Sequence, residues 1–232
     1  MIQQPLISVV IPAFNEANTI GSVISDTMLS LESFGMPFEV IVVDDGSTDG
    51  TTQIATGYKV TVLANGKNRG KGYALRKGFH RARGNVIVTI DADGSHNPKE
   101  IPSLISRLLH GVDIVTGSRF QGHGEASTSR LHRLGNCILS YIILILTEKR
   151  VADSQTGFRA FRKEVLRKFN LTSNGFDIET EFTVKALTNG FALEERPIKC
   201  QKREYGASSL RIHSDGIKIF KAILKAKFMS TG

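Results

Sequence analysis

The chain has 232 residues, 41% hydrophobic and 22% charged, with a formal net charge of +8. That is ordinary for a soluble globular protein and fits one α/β domain with a sizeable core. Cys137 and Cys200 are far apart and form no CxxC or Cys/His ligand spacing, which excludes a metal knuckle and reads as reduced thiols in a cytosolic compartment.

In chain order, LISVVIP (6–12) reads as a buried strand ended by Pro12. Asn18 or Thr19 can cap a helix over 20–32, and FEVIVVDDGS (38–47) is a second strand, with Gly46 and Gly50 in the turn after it. A helix over 51–57 leads to a third strand, KVTVLAN, and the apolar spacing of NRGKGYALRKGFHRA predicts another helix. The β-branched strand 86–90 runs straight into Asp91-Ala92-Asp93. Pro98 opens a helix whose Ile101, Leu104, Ile105, Leu108 and Leu109 share a face, and DIVTGSRF (113–120) is the next strand. The alternation predicts a doubly wound, mainly parallel sheet flanked by helices, with ligands outside the carboxyl ends of its strands. Beyond residue 120 come a polar loop (QGHGEASTSR), an apolar helix over 131–147, a polar turn (DSQTGFRAFRKE) before a helix, the helix of GFDIETEFTVKALTNG, an edge strand in ERPIKCQKRE with its proline near the start, and a basic amphipathic helix in the tail. The expected organisation is a domain over 1–211 and a tail over 212–232.

The N-terminus has no basic leader or cleavage-like site, and the longest apolar stretch, 137–146, is too short for a bilayer span. The basic balance is either a solvated surface or a sign of polyanionic partners. Nothing matches a nucleic-acid module, so anionic lipid or phosphorylated substrates are the sharper options.

The chemistry concentrates at strand ends. Carboxylates at a core edge destabilise unless a cation meets them. Residues i and i+2 of a strand share a face, so Asp91 and Asp93 can point into one site. Two hard oxygen ligands there suit Mg²⁺ or Mn²⁺ carrying a phosphate-bearing substrate. Asp44-Asp45-Gly46-Ser47 follows another strand; alone it is a common turn, but it lies beside the second acidic strand end. Asn15-Glu16 adds a third acidic element. Lys71, between glycines in RGKG, either approaches a phosphate or is a solvated lysine near a helix start.

The motifs IPAFNE, DDGSTDGT, NRGKGYAL, DADGSH, GSRF and DSQTGFRAF occur in the order seen in family-2 glycosyltransferases of the GT-A fold, and the later ones resemble the dolichol-phosphate (polyprenyl-phosphate) mannosyltransferase and glucosyltransferase branch. The resemblance covers about residues 6–211. It implies an inverting, metal-dependent enzyme moving a hexose, with mannose favoured, from a GDP- or UDP-linked nucleotide-sugar donor to dolichyl or polyprenyl phosphate. Pro12, Phe14, Asn15, Glu16, Asp44, Asp45, Lys71 and Asp91 would contact the donor. Asp91 and Asp93 would hold Mg²⁺ or Mn²⁺. Arg119, Arg130 and Arg133 would hold the acceptor phosphate, and Asp93, Arg119 and Arg203 would carry catalysis. Ser95 stands where related mannosyltransferases often carry a metal-binding glutamine, and Ser209 where a lysine is common.

Two alternatives stay open. A family-2 transferase using UDP-glucose or UDP-N-acetylglucosamine with a lipid, saccharide or protein hydroxyl acceptor would usually need a carboxylate base, for which Glu179 and Glu181 are candidates. A non-catalytic nucleotide or lipid binder would not need Asp91 and Asp93. A lipid-borne acceptor implies membrane contact, with 134–146 and 216–228 as candidate segments. In the second, Ile217, Phe220, Ile223, Leu224 and Phe228 form a stripe amid lysines, as in helices that lie in the headgroup region or pack on a domain. The expected location is peripheral, on the cytoplasmic face of a membrane.

Overall fold

A computed structural model describes residues 6–120 and 130–200, with side chains from residue 133 onward in the second stretch. Its strands are β1 (Ile7–Ala13), β2 (Phe38–Asp44), β3 (Thr61–Ala64), β4 (Val86–Thr89), β5 (Ile114–Ser118), β6 (Arg159–Arg162) and β7 (Leu193–Pro197). Its helices are α1 (Ile20–Phe34), α2 (Thr51–Thr56), α3 (Lys71–Arg81), α4 (Ile101–Leu109), α5 (Arg130–Thr147) and α6 (Asp177–Thr188). One sheet runs in the order β3-β2-β1-β4-β6-β5-β7. It is parallel throughout except for β6, which pairs antiparallel with both β4 and β5.

Both faces of the sheet are covered, which is why β1, β2 and β4 read as near-continuous apolar runs rather than alternating ones. Ile7, Val9, Ile11, Val40, Val42 and Val88 point to the side of α1 and α4, meeting Ile24, Leu31 and Ile105. Val10, Ile41, Val43 and Ile87 point to the other side, where Leu75 and Phe79 of α3 and Phe182 of α6 cover them. Full burial of such side chains stabilises by about 1.5–3 kcal/mol each.

Three sequence expectations change. The polar segment DSQTGFRAFRKE contains β6, a strand in the middle of the sheet, followed by a 3-10 turn over Lys163–Arg167. Its polar letters hid it because Arg159, only 2% exposed, is neutralised from outside the segment. Pro12 lies inside β1, opposite Val43, rather than ending it. A proline is tolerated there because the β4 ladder stops at Val10, leaving β2 as the ladder partner beyond it. The edge strand β7 begins at Leu193, so Pro197 closes it instead of opening it.

The sheet order reverses at β1. The chain adds β2 and β3 on one side of β1 and returns to place β4 on the other, creating a crevice at the carboxyl ends of β1 and β4. Arg203, Ser209, the loop 121–129, the boundary at residue 211 and the tail segment 216–228 lie outside the described residues, as does the side chain of Arg130.

Candidate active site

Two loops form the wall of the crevice over β1 and β2. Asn15 adopts a left-handed φ of 56°, which aims its amide across the gap. Asn15 Oδ1 accepts from the Thr48 N–H at 2.9 Å, and the Asn15 N–H donates to Ser47 Oγ at 2.8 Å. The N–H groups of Glu16 and Ala17 donate to Thr51 Oγ1 and Asp49 Oδ2 at 2.8 and 3.0 Å. These bonds fasten PAFNE to DDGSTDGT. Pro12 is buried behind the wall, and Phe14 stands out from it, 38% exposed.

Asp44 and Asp45 are both buried, at 1% and 2% exposure. Asp44 accepts from the Ser47 N–H at 2.8 Å and from the Thr52 hydroxyl. Asp45 accepts from the N–H groups of Arg69 and Gly70 and from Asn65 Nδ2 at 2.6 to 3.0 Å. Asp45 thereby fixes the loop that delivers Lys71. The glycines flanking Lys71 are there for a close approach: a Cβ on Gly70 or Gly72 would fall 2.3 Å from the Asn174 or Ser173 carbonyl oxygen.

β4 ends at Thr89, so Asp91 and Asp93 sit in the turn after it rather than on the strand. Ala92 between them is 2% exposed, while both aspartates are partly exposed. Lys71 Nζ lies 2.6 Å from Asp91 Oδ1 and 3.1 Å from Glu179 Oε1, the latter a charge contact outside hydrogen-bond geometry. Glu179 Oε2 in turn pairs with Arg159 Nη2 at 2.8 Å. A chain of alternating charge thus runs from the crevice into the core beneath β6. Burial pushes the Asp91 carboxyl up, but Lys71, His96 and Arg119 pull it down to about 2. Burial alone would depress the Lys71 ammonium; Asp91 and Glu179 hold it above the ordinary lysine value. Gly157 leaves the room for this pair, since a Cβ there would fall 2.6 Å from Lys71 Nζ and 2.8 Å from Asp91 Oδ2.

Arg119 follows β5 and is gripped by the fully buried Asp153: Nε to Oδ2 at 2.7 Å, Nη2 to Oδ1 at 2.9 Å, and its own N–H to Oδ2 at 3.1 Å. This bidentate grip leaves Nη1 outside the pair. Burial opposes the charge of Arg119, and Asp153 more than restores it. Arg133 is exposed near the start of α5. The structure therefore gathers Asp91, Lys71 and the two loop walls around one crevice, and the field of Arg119 reaches Asp91.

Glu179 and Glu181, the base candidates, are both buried and ion-paired. Glu181 accepts from the N–H groups of Thr172 and Ser173 and pairs with Lys185 Nζ at 2.7 Å. Burial pushes its carboxyl up, and Lys185 with the Ser173 N–H brings it below the ordinary range. Glu179 is held between Lys71 and Arg159.

Sequence reading missed four contributors. Asp153, Arg159 and Gly157 were present in DSQTGFRAF, but the signal was the partners they find across 34, 20 and 66 residues, which no local pattern carries. His96 is 5% exposed and stacks on Phe158 with centroids 5.3 Å apart. Burial holds its imidazole below its ordinary value, against the pull of Asp91 and Asp93.

Among the described residues, no three His, Cys, Asp or Glu side chains converge as a closed metal cage. Asp91 and Asp93 are instead a two-carboxylate set, with Lys71 on one Asp91 oxygen and the Ser95 N–H on Asp93 Oδ1 at 3.0 Å. That donor set fits a hard divalent cation that draws its remaining ligands from substrate phosphate and water.

The model of glycosyl transferase family 2 matches residues 8–169. An uncharacterized protein of Methanocaldococcus jannaschii is 37% identical over 235 residues, covering 98% of this chain and 95% of its own. A dolichol-phosphate mannosyltransferase of Pyrococcus furiosus is 33% identical over 77% of this chain, which spans 52% of that relative's length. The structure of glucosyl-3-phosphoglycerate synthase from Mycobacterium tuberculosis, solved with Mn²⁺, uridine diphosphate and phosphoglyceric acid, superposes with a TM-score of 0.78 at 22% identity, over 96% of this chain and 78% of that one. At that identity the likeness speaks to the fold. Strand order, crevice and motif order thus converge, and the chain belongs to glycosyl transferase family 2, built on the GT-A fold.

Proposed function

We propose that this chain transfers a hexose, mannose by preference, from a nucleotide-sugar to a polyprenyl phosphate with inversion at the anomeric carbon. The observation that carries this reading is the ionic arrangement of the crevice: two carboxylates and a cation at the β4 end, a clamped guanidinium on β5, and both candidate base carboxylates locked in ion pairs. A hydroxyl acceptor needs a base; a phosphate monoester is already substantially ionised at neutral pH. The similarity to the Pyrococcus furiosus dolichol-phosphate mannosyltransferase supports the same acceptor class.

In this reading Pro12, Phe14, Asn15, Glu16 and Asp44 form the nucleotide wall, and Asp45 holds the loop of Lys71 against it. Asp91 and Asp93 would hold Mg²⁺ or Mn²⁺, which when bound neutralises the departing nucleoside diphosphate. Lys71 keeps Asp91 ionised and oriented. Arg119 offers its remaining guanidinium edge to the acceptor phosphate, offsetting repulsion between two anionic substrates. Arg130 and Arg133 would add positive charge for the acceptor phosphate, and Arg203 would act in catalysis.

Membrane contact is part of the proposal, and its support is α5. Leu134, Ile138, Tyr141 and Ile145 are 53–64% exposed and follow one another by four, three and four residues, so they share a helix face. Arg133, Lys149 and Arg150 stand exposed at the two ends of this stripe. An apolar stripe with basic ends suits an anionic headgroup layer. No helix among the described residues is long and apolar enough to cross a membrane.

The test is incubation with Mg²⁺ or Mn²⁺, a panel of radiolabelled GDP- and UDP-sugars, and a polyprenyl phosphate. Label in the organic phase is expected, and Asp93→Ala abolishes it while the protein stays folded. Label appearing only on a hydroxyl acceptor, or donor binding without turnover, contradicts the reading.

A further inference from the structure

At the opposite end of the strands from the crevice, beside the first residue of β4, lies a cleft of about 330 Å³. Its lining carries Arg83, Arg162, Lys163 and Arg167 against one carboxylate, Glu164. The cations are held in an unusual way. Arg162 Nη2 donates to the Leu108 carbonyl in the last turn of α4 at 2.7 Å, and Lys163 Nζ donates to the Ala82 carbonyl at the end of α3 at 2.5 Å. Backbone carbonyls at helix C-termini orient a cation without cancelling its full charge. Among the described residues no carboxylate pairs with Arg162, Lys163 or Arg167, and only Arg83 is matched, by Glu39 at 3.0 Å. Where the crevice cancels its charges internally, this cleft leaves an excess of positive charge on a fixed frame. Val86 and Leu108 give it a buried apolar floor.

Five residues of extended chain separate Val86 from Asp91, about 16 Å, so the cleft is separate from the transfer site. Its volume is at the lower end for small-molecule sites. We propose that this cleft binds a small polyphosphate anion, with Arg162 and Lys163 as its fixed cations and Arg167 closing over it from the 3-10 turn. Phosphate groups on a soluble molecule and on a lipid headgroup share this chemistry; the position at the far end of the strands from the crevice favours the soluble one.

The test titrates inorganic pyrophosphate into the ¹⁵N-labelled full chain in EDTA, so that binding through a divalent cation at Asp91 and Asp93 is suppressed. Saturable amide shifts at residues 83–86 and 162–167 are expected. Arg167→Gln, an exposed position with no assigned role in transfer, weakens them about tenfold and leaves sugar transfer unchanged. Lys163→Gln weakens them by a similar factor. Absence of shifts at these amides at millimolar pyrophosphate overturns the proposal, as does equal affinity in both variants and the wild type. Vesicles containing phosphatidylglycerol that perturb these amides while pyrophosphate does not overturn it in favour of a lipid headgroup.

Discussion

The β1–β4 half of the crevice and the half built from β5, β6 and α6 are assembled by different physics. In the first, side chains cap loop N–H groups a few residues away or across one gap: Asn15 to Thr48, Asp44 to Ser47, Asp45 to Arg69 and Gly70. In the second, charged side chains are matched directly with one another: Arg119 with Asp153, Arg159 with Glu179, Lys71 with Glu179. Hydrogen-bonded loops give a rigid wall of fixed shape. Buried ion pairs give fixed charge, at the risk that removing one partner strands the other in a poorly solvated place. A site that must recognise a nucleotide and then bring two anions together has use for both.

The contrast is broken most severely at Glu179. Glu179→Gln leaves Lys71 and Arg159 without their shared counter-charge and lowers stability by about 3–5 kcal/mol, read by urea denaturation. A loss under 1 kcal/mol would show that the ion chain contributes little. Asp45→Ala tests the loop half. It leaves the Arg69 and Gly70 N–H groups without their acceptor and costs about 2–3 kcal/mol, and it weakens donor binding because the Lys71 loop is released. If donor affinity is unchanged, the wall does not depend on that loop. Gly157→Ala acts where the halves meet: its Cβ must displace Lys71 or Asp91. Transfer falls about tenfold or more, with a smaller change in stability, about 1–3 kcal/mol.

The smallest effect is a pH slope. Glu181 has a folded value below its ordinary 4.5, despite its burial, because Lys185 and the Ser173 N–H favour the carboxylate. Below that ordinary value the unfolded chain binds more protons than the folded one, so stability rises with pH there. The contribution is complete above the ordinary value and disappears as pH falls through the folded one. Glu181→Gln flattens the stability profile in that acid range; an unchanged slope places the acid sensitivity elsewhere.

Legibility followed the same divide. The strands β1, β2, β4 and β5 show as β-branched runs, and the carboxylates at their ends show as polar motifs, because both are local patterns. Their boundaries shift by one to three residues, as at Pro12 and Thr89. β6 was not legible: RAFR looks like a turn until Glu179 arrives from α6 to neutralise Arg159. Lys71 could be suspected of meeting a phosphate, but its resting partners come from β4 and α6. Asp153, the buried grip on Arg119, lies beyond a segment of over 30 residues. The exposed stripe on α5 was readable as apolar, yet only packing tells which side of that helix stays uncovered.

The most direct measurement is a crystal structure with GDP-mannose and Mn²⁺ bound. The diphosphate and the cation are expected against the Asp91 and Asp93 carboxylates, with the base along the Phe14–Asp44 wall and the sugar facing Arg119. A diphosphate seated away from those two carboxylates contradicts it.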